Sequence, residues 1–349
     1  MKRIFLTILQ IGVTVAMLWW VFHDPIQRAK MAVALRTADY RWVVGGVFAY
    51  LLVEASAALR WHILLRVQKI NLSLMRVSGL FLIGMFYNQF LPGGTGGDIV
   101  KSYLLLKETD KKAGGLLAVV FDRLIGLVAL VTITVLLVSV RFDWLWNTPV
   151  TVESGGVTPR RLLLLLLFLL GTSLAGLLAS FVISGFNLFR WLPHKFPGRE
   201  KLMEISAAYH LYARHWMATS MAFVTSLVAH LATFTTFLCV AYAFRANVSV
   251  IDFFAVLPIE RTITALPISF AGVGLREQIL QVLLSNLCHI DVPVAKLIGT
   301  MSFLIILACS APGGIVYFLY RPSGAKGHVR MRDMQREVES LEHELSEKE

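Results

Sequence analysis

Leu91-Pro92-Gly93-Gly94-Thr95-Gly96-Gly97-Asp98 interrupts the apolar stretch 74–106. Leu266-Pro267-Ile268-Ser269-Phe270-Ala271-Gly272-Val273-Gly274 interrupts a second one, 252–290. Charge follows each break at once: Asp98 and Lys101 after the first, Arg276 and Glu277 after the second. In hydrocarbon an unsatisfied backbone N–H or C=O is costly, so a broken helix persists only inside protein or beside a wet cavity. A matched pair of breaks in two halves of a membrane chain points to a transporter's binding site. The pattern is that of a carrier rather than a catalyst.

The composition agrees. Of 349 residues, 56% are hydrophobic and 16% charged, and the mean hydropathy is +0.68. This describes an all-α polytopic membrane protein with no room for a separate soluble domain between its apolar runs. The net charge of +11 raises the question of nucleic acid. The basic residues sit in short loops beside apolar spans, where they mark a cytoplasmic face and attract anionic head groups, so nucleic acid is not an expected partner. Cys239, Cys288 and Cys309 are isolated in apolar contexts and read as packing residues. No HExxH occurs, and His210 and His215 have the wrong spacing to share a helical face, so neither metal nor cofactor is expected. Met1-Lys2-Arg3 ahead of apolar Ile4 to Phe22 reads as an uncleaved first span, because no A-x-A-like site follows it.

Full spans, about six, are expected at 4–22, 42–62, 116–140, 162–186, 217–244 and 294–320, each meeting the ~20 residues needed to cross ~30 Å of hydrocarbon. Loop 66–76 carries Arg66, Lys69 and Arg76, and segment 107–115 carries Lys107, Lys111 and Lys112. With both on the cytoplasmic side, 74–106 enters and leaves the membrane from that side as a re-entrant hairpin. The Trp-rich segment 141–159 reads as external, and basic 187–216 as cytoplasmic. Stretch 252–290 then enters and leaves from the outside. The order span, span, hairpin, span recurs with opposite orientation, which is an inverted repeat with halves at about 1–141 and 160–322. Arg28, Lys30, Arg36 and Arg41 resist this scheme, because it places them outside. The alternative has both broken stretches crossing fully as kinked helices. Aromatic and basic residues interleave over 189–216 as in an interfacial helix. Met331, Met334, Val338, Leu341 and Leu345 in the tail 323–349 form a short heptad-like seam, read as a surface helix or a homo-oligomer contact.

Asp98 falls where a new half-helix would begin. Such an N-terminus, with free N–H groups and a positive dipole end, suits phosphate or carboxylate, and Gly93, Gly94, Gly96 and Gly97 let the backbone approach a ligand closely. Lys101, one turn on, adds a point charge; the plainer reading is an N-cap at Asp98 and a snorkelling Lys101. The run is not a P-loop, since the Gly-Lys-Ser/Thr ending is missing and no strand precedes it. Asp122-Arg123 in one half and Glu260-Arg261 in the other stand within apolar segments. Charges at membrane depth normally face a partner or a wet cavity, so these are either salt bridges or a shared polar site. An arginine offers phosphate a bidentate fork. Glu54 lies deep enough in its span to be a further site residue, and Arg60 less so. Asn88, before the first break, is placed to hydrogen-bond the freed backbone or to cap a helix. His230, alone in an apolar span, reads as satisfied by a neighbouring helix.

Asn88-x-x-Leu91-Pro92-Gly93-Gly94-x-Gly96-Gly97-Asp98, then Asp122-Arg123 with Gly126, then Pro267-x-Ser269-x-x-Gly272-x-Gly274-x-Arg276-Glu277 resemble the lysylphosphatidylglycerol synthase transmembrane-region family over about residues 1–322. The resemblance implies a helical bundle with re-entrant elements that moves lipids with charged or glycosylated head groups between leaflets. Fused members carry a soluble aminoacyl-transferase domain; this sequence continues instead into a short charged helix, and synthesis of the lipid is not expected. It departs from the common pattern with Lys101, where Arg is common, and Asp122, where Glu is expected; a lysine offers no bidentate fork.

The expected function is translocation of an anionic or head-group-modified lipid across the bacterial cytoplasmic membrane, with both termini inside. The head group would sit between the breaks, held by backbone N–H groups, Lys101, Arg123, Arg261 and Arg276. Asp98, Asp122, Glu260 and Glu277 would position these cations or load protons. The alternatives are a membrane-embedded transferase acting on lipid-linked phosphate or sugar, and a scaffold that recruits a lipid-synthesising enzyme.

Overall fold

Apolar runs of this length satisfy their backbone polar groups internally by becoming helices. The computed structural model describes Trp19 and residues 24–90, 96–149, 157–185, 199–264 and 273–320. Their regular structure is helical: α1 Pro25–Arg36, α2 Tyr40–Val67, α3 Leu74–Phe90, α4 Gly96–Leu106, α5 Lys112–Val140, α6 Phe142–Asn147, α7 Pro159–Gly185, α8 Arg199–Arg214, α9 Trp216–Ala243, α10 Val250–Thr264, α11 Leu275–Leu287, α12 Val292–Ser310 and α13 Pro312–Leu319. Among the described residues, five helices are long and apolar enough to cross a membrane: Tyr40–Val67, Lys112–Val140, Pro159–Ala179, Trp216–Ala243 and Val292–Leu319. They coincide with five of the expected spans. The remaining one, 4–22, lies outside the described residues except for Trp19, as does the tail. The protein is an all-α polytopic membrane protein.

Helix ends follow local chemistry. Asp24 caps α1 by accepting from the Ile26 amide at 2.9 Å, with Pro25 at the first helical position. Asp39 caps α2 through the Arg41 amide at 3.1 Å. The C-termini of α2 and α9 close in the same way. Lys69 (φ 58°) and Arg245 (φ 57°) adopt the left-handed conformation. The next amide reaches back to the helix, Ile70 to the Leu65 carbonyl and Ala246 to the Ala241 carbonyl, each at 3.0 Å.

Helices α2 and α9 run antiparallel and share the longest interface of the fold. The Trp42 ring meets Tyr242 at 5.0 Å near one end, Gly46 packs on the Thr236 backbone, and Arg60 reaches Ser226 near the other. Around this pair, α5 packs on α9 and α10, while α12 packs on α2 and α3. Each broken stretch folds back on itself. In the first, Gly97 and Lys101 of α4 lie against Gly84 of α3. In the second, Arg276 of α11 pairs with Glu260 of α10. α13 packs tightly along α3, where a Cβ on Gly313 would run into the Leu82 carbonyl.

The loops sort to two ends. At one end, Arg76 pairs with Glu108 at 2.5 Å, Tyr320 donates to the same carboxylate, and Lys111 reaches the Lys69 carbonyl at 2.9 Å. Burial first, and the Glu108 bond second, push the Tyr320 phenol above its usual range. The expected interfacial helix α8 docks at this end as well, with Tyr212 stacked on Phe121 at 4.2 Å and donating to the Leu64 carbonyl at 3.2 Å. At the other end, the Asp39 amide bonds the Ala243 carbonyl at 2.8 Å, Arg141 pairs with Asp252 at 2.6 Å, and Lys296 donates to Gln27 at 2.8 Å. Loops 66–76 and 107–115, read from charge as lying on one side, share an end. Arg28, Lys30, Arg36 and Arg41 stand at or beside the opposite one.

Among the described residues, Gly97 is the tightest point between α3 and α4: a Cβ there would overlap the Gly84 carbonyl oxygen and crowd Asn88. Gly97→Ala is therefore expected to destabilise the protein by about 1–3 kcal/mol through forced separation of α3 and α4. It should lower the melting temperature of the detergent-purified protein, whereas Gly171→Ala, at a glycine with no atom within 4 Å of its added Cβ, should not.

Candidate functional site

A cavity of about 490 Å3 is enclosed by walls that come from six helices. Helix α2 presents Tyr50, Glu54, Ala57 and Arg60, at helical spacing on one face. Helix α3 adds Phe81, Met85 and Asn88, α4 adds Asp98 and Lys101, and α5 adds Asp122, Arg123 and Gly126. From the second half, α9 supplies Ala229, His230 and Thr233, and α10 supplies Arg261.

A chain of alternating charge runs across one wall. Arg60 Nε lies 2.7 Å from Asp122 Oδ1, and Arg60 Nη1 donates to Ser226 at 2.8 Å. Lys101 Nζ lies 3.4 Å from Asp122 Oδ2 and 3.5 Å from Asp98 Oδ1. Arg123 pairs with Asp98 through Nε at 2.5 Å and through a second, closer contact. Lys101 is buried, and its ammonium sits 4.4 Å from the Trp61 ring centroid and 5.5 Å from that of Phe81. It neither snorkels nor stands free. Asp98 occupies the first turn of α4, so its own carboxylate meets the helix's positive end. Arg123 is the open member of the chain, with 54% of its side chain exposed.

Residues adjacent in sequence do not pair with one another here. Asp122 bonds Arg60 and Lys101, while Arg123 turns to Asp98. Glu260 faces Arg276 at 3.4 Å, while Arg261 enters the cavity. Consecutive helical side chains diverge by about 100°, which makes this division unavoidable. Two cavity groups remain unclaimed. Among the described residues the Arg261 guanidinium has no hydrogen-bond or ion-pair partner, and Glu54 Oε1 is buried without one. His230 contacts the Gly126 carbonyl at 3.1 Å through Nε2, as expected of a histidine satisfied by its neighbour.

Other expected site residues hold the breaks closed. Asn88 lines the cavity and accepts from the Gly97 amide at 2.8 Å, which satisfies a first-turn donor of α4. Glu277 accepts from the Gly274 amide at 2.7 Å, and Gly274 has φ 82°, a conformation glycine adopts without strain. Glu260 takes a hydrogen bond from Thr264 at 3.0 Å besides facing Arg276, whose guanidinium lies 5.3 Å from the Phe303 ring centroid. Glu260, Arg276 and Glu277 do not line the cavity. Pro92, Gly93, Gly94, Pro267, Ser269 and Gly272 lie outside the described residues; Gly96 is buried at the start of α4. Sequence reasoning passed over Tyr50 and Thr233, and the face shared by Tyr50, Glu54 and Ala57 was the signal for the first.

Asp122→Asn would leave Arg60 and Lys101 sharing one neutral amide, and breaking a buried pair in this way costs about 3–5 kcal/mol. The expected outcome is a large fall in the thermal stability of the purified protein. Asp143→Asn, on the short helix α6 at the loop end, should change it little.

Comparison with known proteins agrees with this architecture. A UPF0104 membrane protein of Pyrococcus horikoshii is 27% identical over 139 residues, which is 39% of this chain and 40% of that relative. The match thus spans well under half of the relative's length. The profile of the lysylphosphatidylglycerol synthase TM region matches residues 7–314, and so takes in both breaks, the cavity, four of the described spanning helices whole and most of the fifth. The chain belongs to the lysylphosphatidylglycerol synthase TM region family.

Proposed function

We propose that this protein translocates a lipid with an anionic or modified head group across the bacterial cytoplasmic membrane, acting as a carrier rather than an enzyme. The head group binds in the cavity while the acyl chains stay in lipid. The observation that carries this reading is Arg261. Among the described residues it is a guanidinium without a partner, delivered by one half of the molecule into a cavity whose charged wall belongs to the other. A cation at membrane depth is expensive unless something pairs with it, and a phosphate accepts its two parallel N–H bonds well. Arg123, half open to the cavity and balanced by Asp98, is the second hand.

The packing supports an inverted repeat. Antiparallel α2 and α9 stand at its centre, and exchanging α5 for α12 exchanges their partners. On this reading the two hairpins are re-entrant, the end bearing loops 66–76 and 107–115 is cytoplasmic, and both termini lie on that side. Rocking one half against the other would move the Arg261 side of the cavity relative to the Arg123 side, exposing the head group to either leaflet.

The test uses purified protein in vesicles that contain acyl-labelled fluorescent phosphatidylglycerol, with dithionite quenching to report the outward-facing fraction. Wild-type protein is expected to speed lipid exchange between leaflets. Arg261→Gln, by losing charge-assisted bonds, should slow it about 10–100-fold while inserting normally. Exchange no faster than in protein-free vesicles would sink the carrier reading; unchanged exchange in the mutant would sink the site.

A further inference from the structure

Glu54 is the one cavity carboxyl that the charge chain does not use. It is 6% exposed, its Oε1 has no hydrogen-bond partner among the described residues, and it lies on the wall of the cavity. The other two cavity acids, Asp98 and Asp122, already share Arg60, Lys101 and Arg123 among them. That leaves Arg261 as the unclaimed cation of the lining. A carboxylate in such surroundings must either find a counter-charge or take up a proton.

We propose that Glu54 is a proton-coupling group, taking up one proton from water when an anionic head group binds and releasing it when the head group leaves. The proposal rests on the head-group reading above. Without ligand, Glu54 exchanges its proton with the water of the cavity. An arriving phosphate adds a like charge to the cavity that Glu54 lines and displaces that water. Both changes favour the neutral acid. The proton joins the carboxylate oxygen and no other bond changes, so head group and proton enter and leave together.

The groups around Glu54 leave it this role. Its own helix carries Tyr50 and Arg60, the latter committed to Asp122. Helix α4 brings Asp98 and Lys101, and α5 brings Asp122 and Arg123, all within the ion-pair chain. Helix α12 brings the buried Cys309, and α10 brings Arg261. Helix α3 lines the cavity with Phe81, Met85 and Asn88, none of them titratable. His230 of α9 is the competing proton acceptor, and its Nε2 is engaged with the Gly126 carbonyl.

The test is calorimetric titration of the purified full chain with dihexanoylphosphatidylglycerol, a phosphodiester that does not itself titrate near neutrality. Measurement in buffers of different ionisation enthalpy counts the protons. Wild type is expected to take up about one proton per lipid, with Kd weakening about tenfold per pH unit once Glu54 ionises. Glu54→Gln should take up none and hold, at all pH values, an affinity near that of wild type in acid. Glu54→Met serves the same readout if the amide variant does not fold. Uptake that persists without Glu54, that disappears in His230→Gln instead, or that is absent from wild type would overturn the proposal. Failure of wild type to bind the lipid would overturn the anionic head-group reading itself.

Discussion

A helix that stops inside an apolar bundle exposes backbone amides that nothing in lipid can satisfy, and this chain meets that constraint twice. Asn88 receives the Gly97 amide and Glu277 receives the Gly274 amide. Once those donors are satisfied, the helices on either side of each break can pack against one another. The first hairpin then closes to the point where Gly97 touches Gly84. Asp98 and Lys101 are carried inward with α4, and α5 must bring Asp122 and Arg123 to meet them. The cavity is a consequence of where the broken helix ends.

Electrostatics then divides the described polar residues into those paired within the bundle and those left open in the cavity. Asp122 ties three helices together through Arg60 and Lys101. The aromatic faces of Trp61 and Phe81 help to keep the Lys101 ammonium buried. The Glu260–Arg276 pair does the corresponding work in the second half, as a clasp between α10 and α11. What stays unspent is small: the Arg261 guanidinium, the Glu54 carboxyl and the open side of Arg123. An anion entering the cavity meets these groups first. The aromatic and aliphatic lining from Tyr50, Phe81 and Met85 lies beside them, a combination suited to an amphiphile's polar end.

Much of the fold is legible in the sequence, because the hydrophobic thickness of a membrane imposes a length that apolar runs reveal directly. Five spans match the runs read from composition, and the helices that flank each Pro/Gly interruption, α3 with α4 and α10 with α11, pack against one another. Basic residues in loops 66–76 and 107–115 also foretold that these loops share an end. The site was legible only as a set of residue types. Asp122-Arg123 and Glu260-Arg261 look like two local pairs in the sequence, yet each member turns to a different helix. Which acid meets which base depends on how distant helices pack, and hydropathy does not encode that. Arg60 looked a weaker site residue than Glu54, and it lines the cavity paired with Asp122. Arg276 looked like a ligand-binding cation, and it faces Glu260 away from the cavity lining. Glu54 and Arg261, distant in sequence, become the two unclaimed charges of one cavity.

The most direct measurement is native mass spectrometry with lipid analysis of the protein purified from its membrane, wild type beside Arg261→Ala. The account predicts one anionic lipid class enriched on wild type over its abundance in the bulk membrane, and loss of that enrichment in the variant. A lipid profile matching the bulk membrane in both proteins would contradict the claim that the cavity is built for a lipid head group.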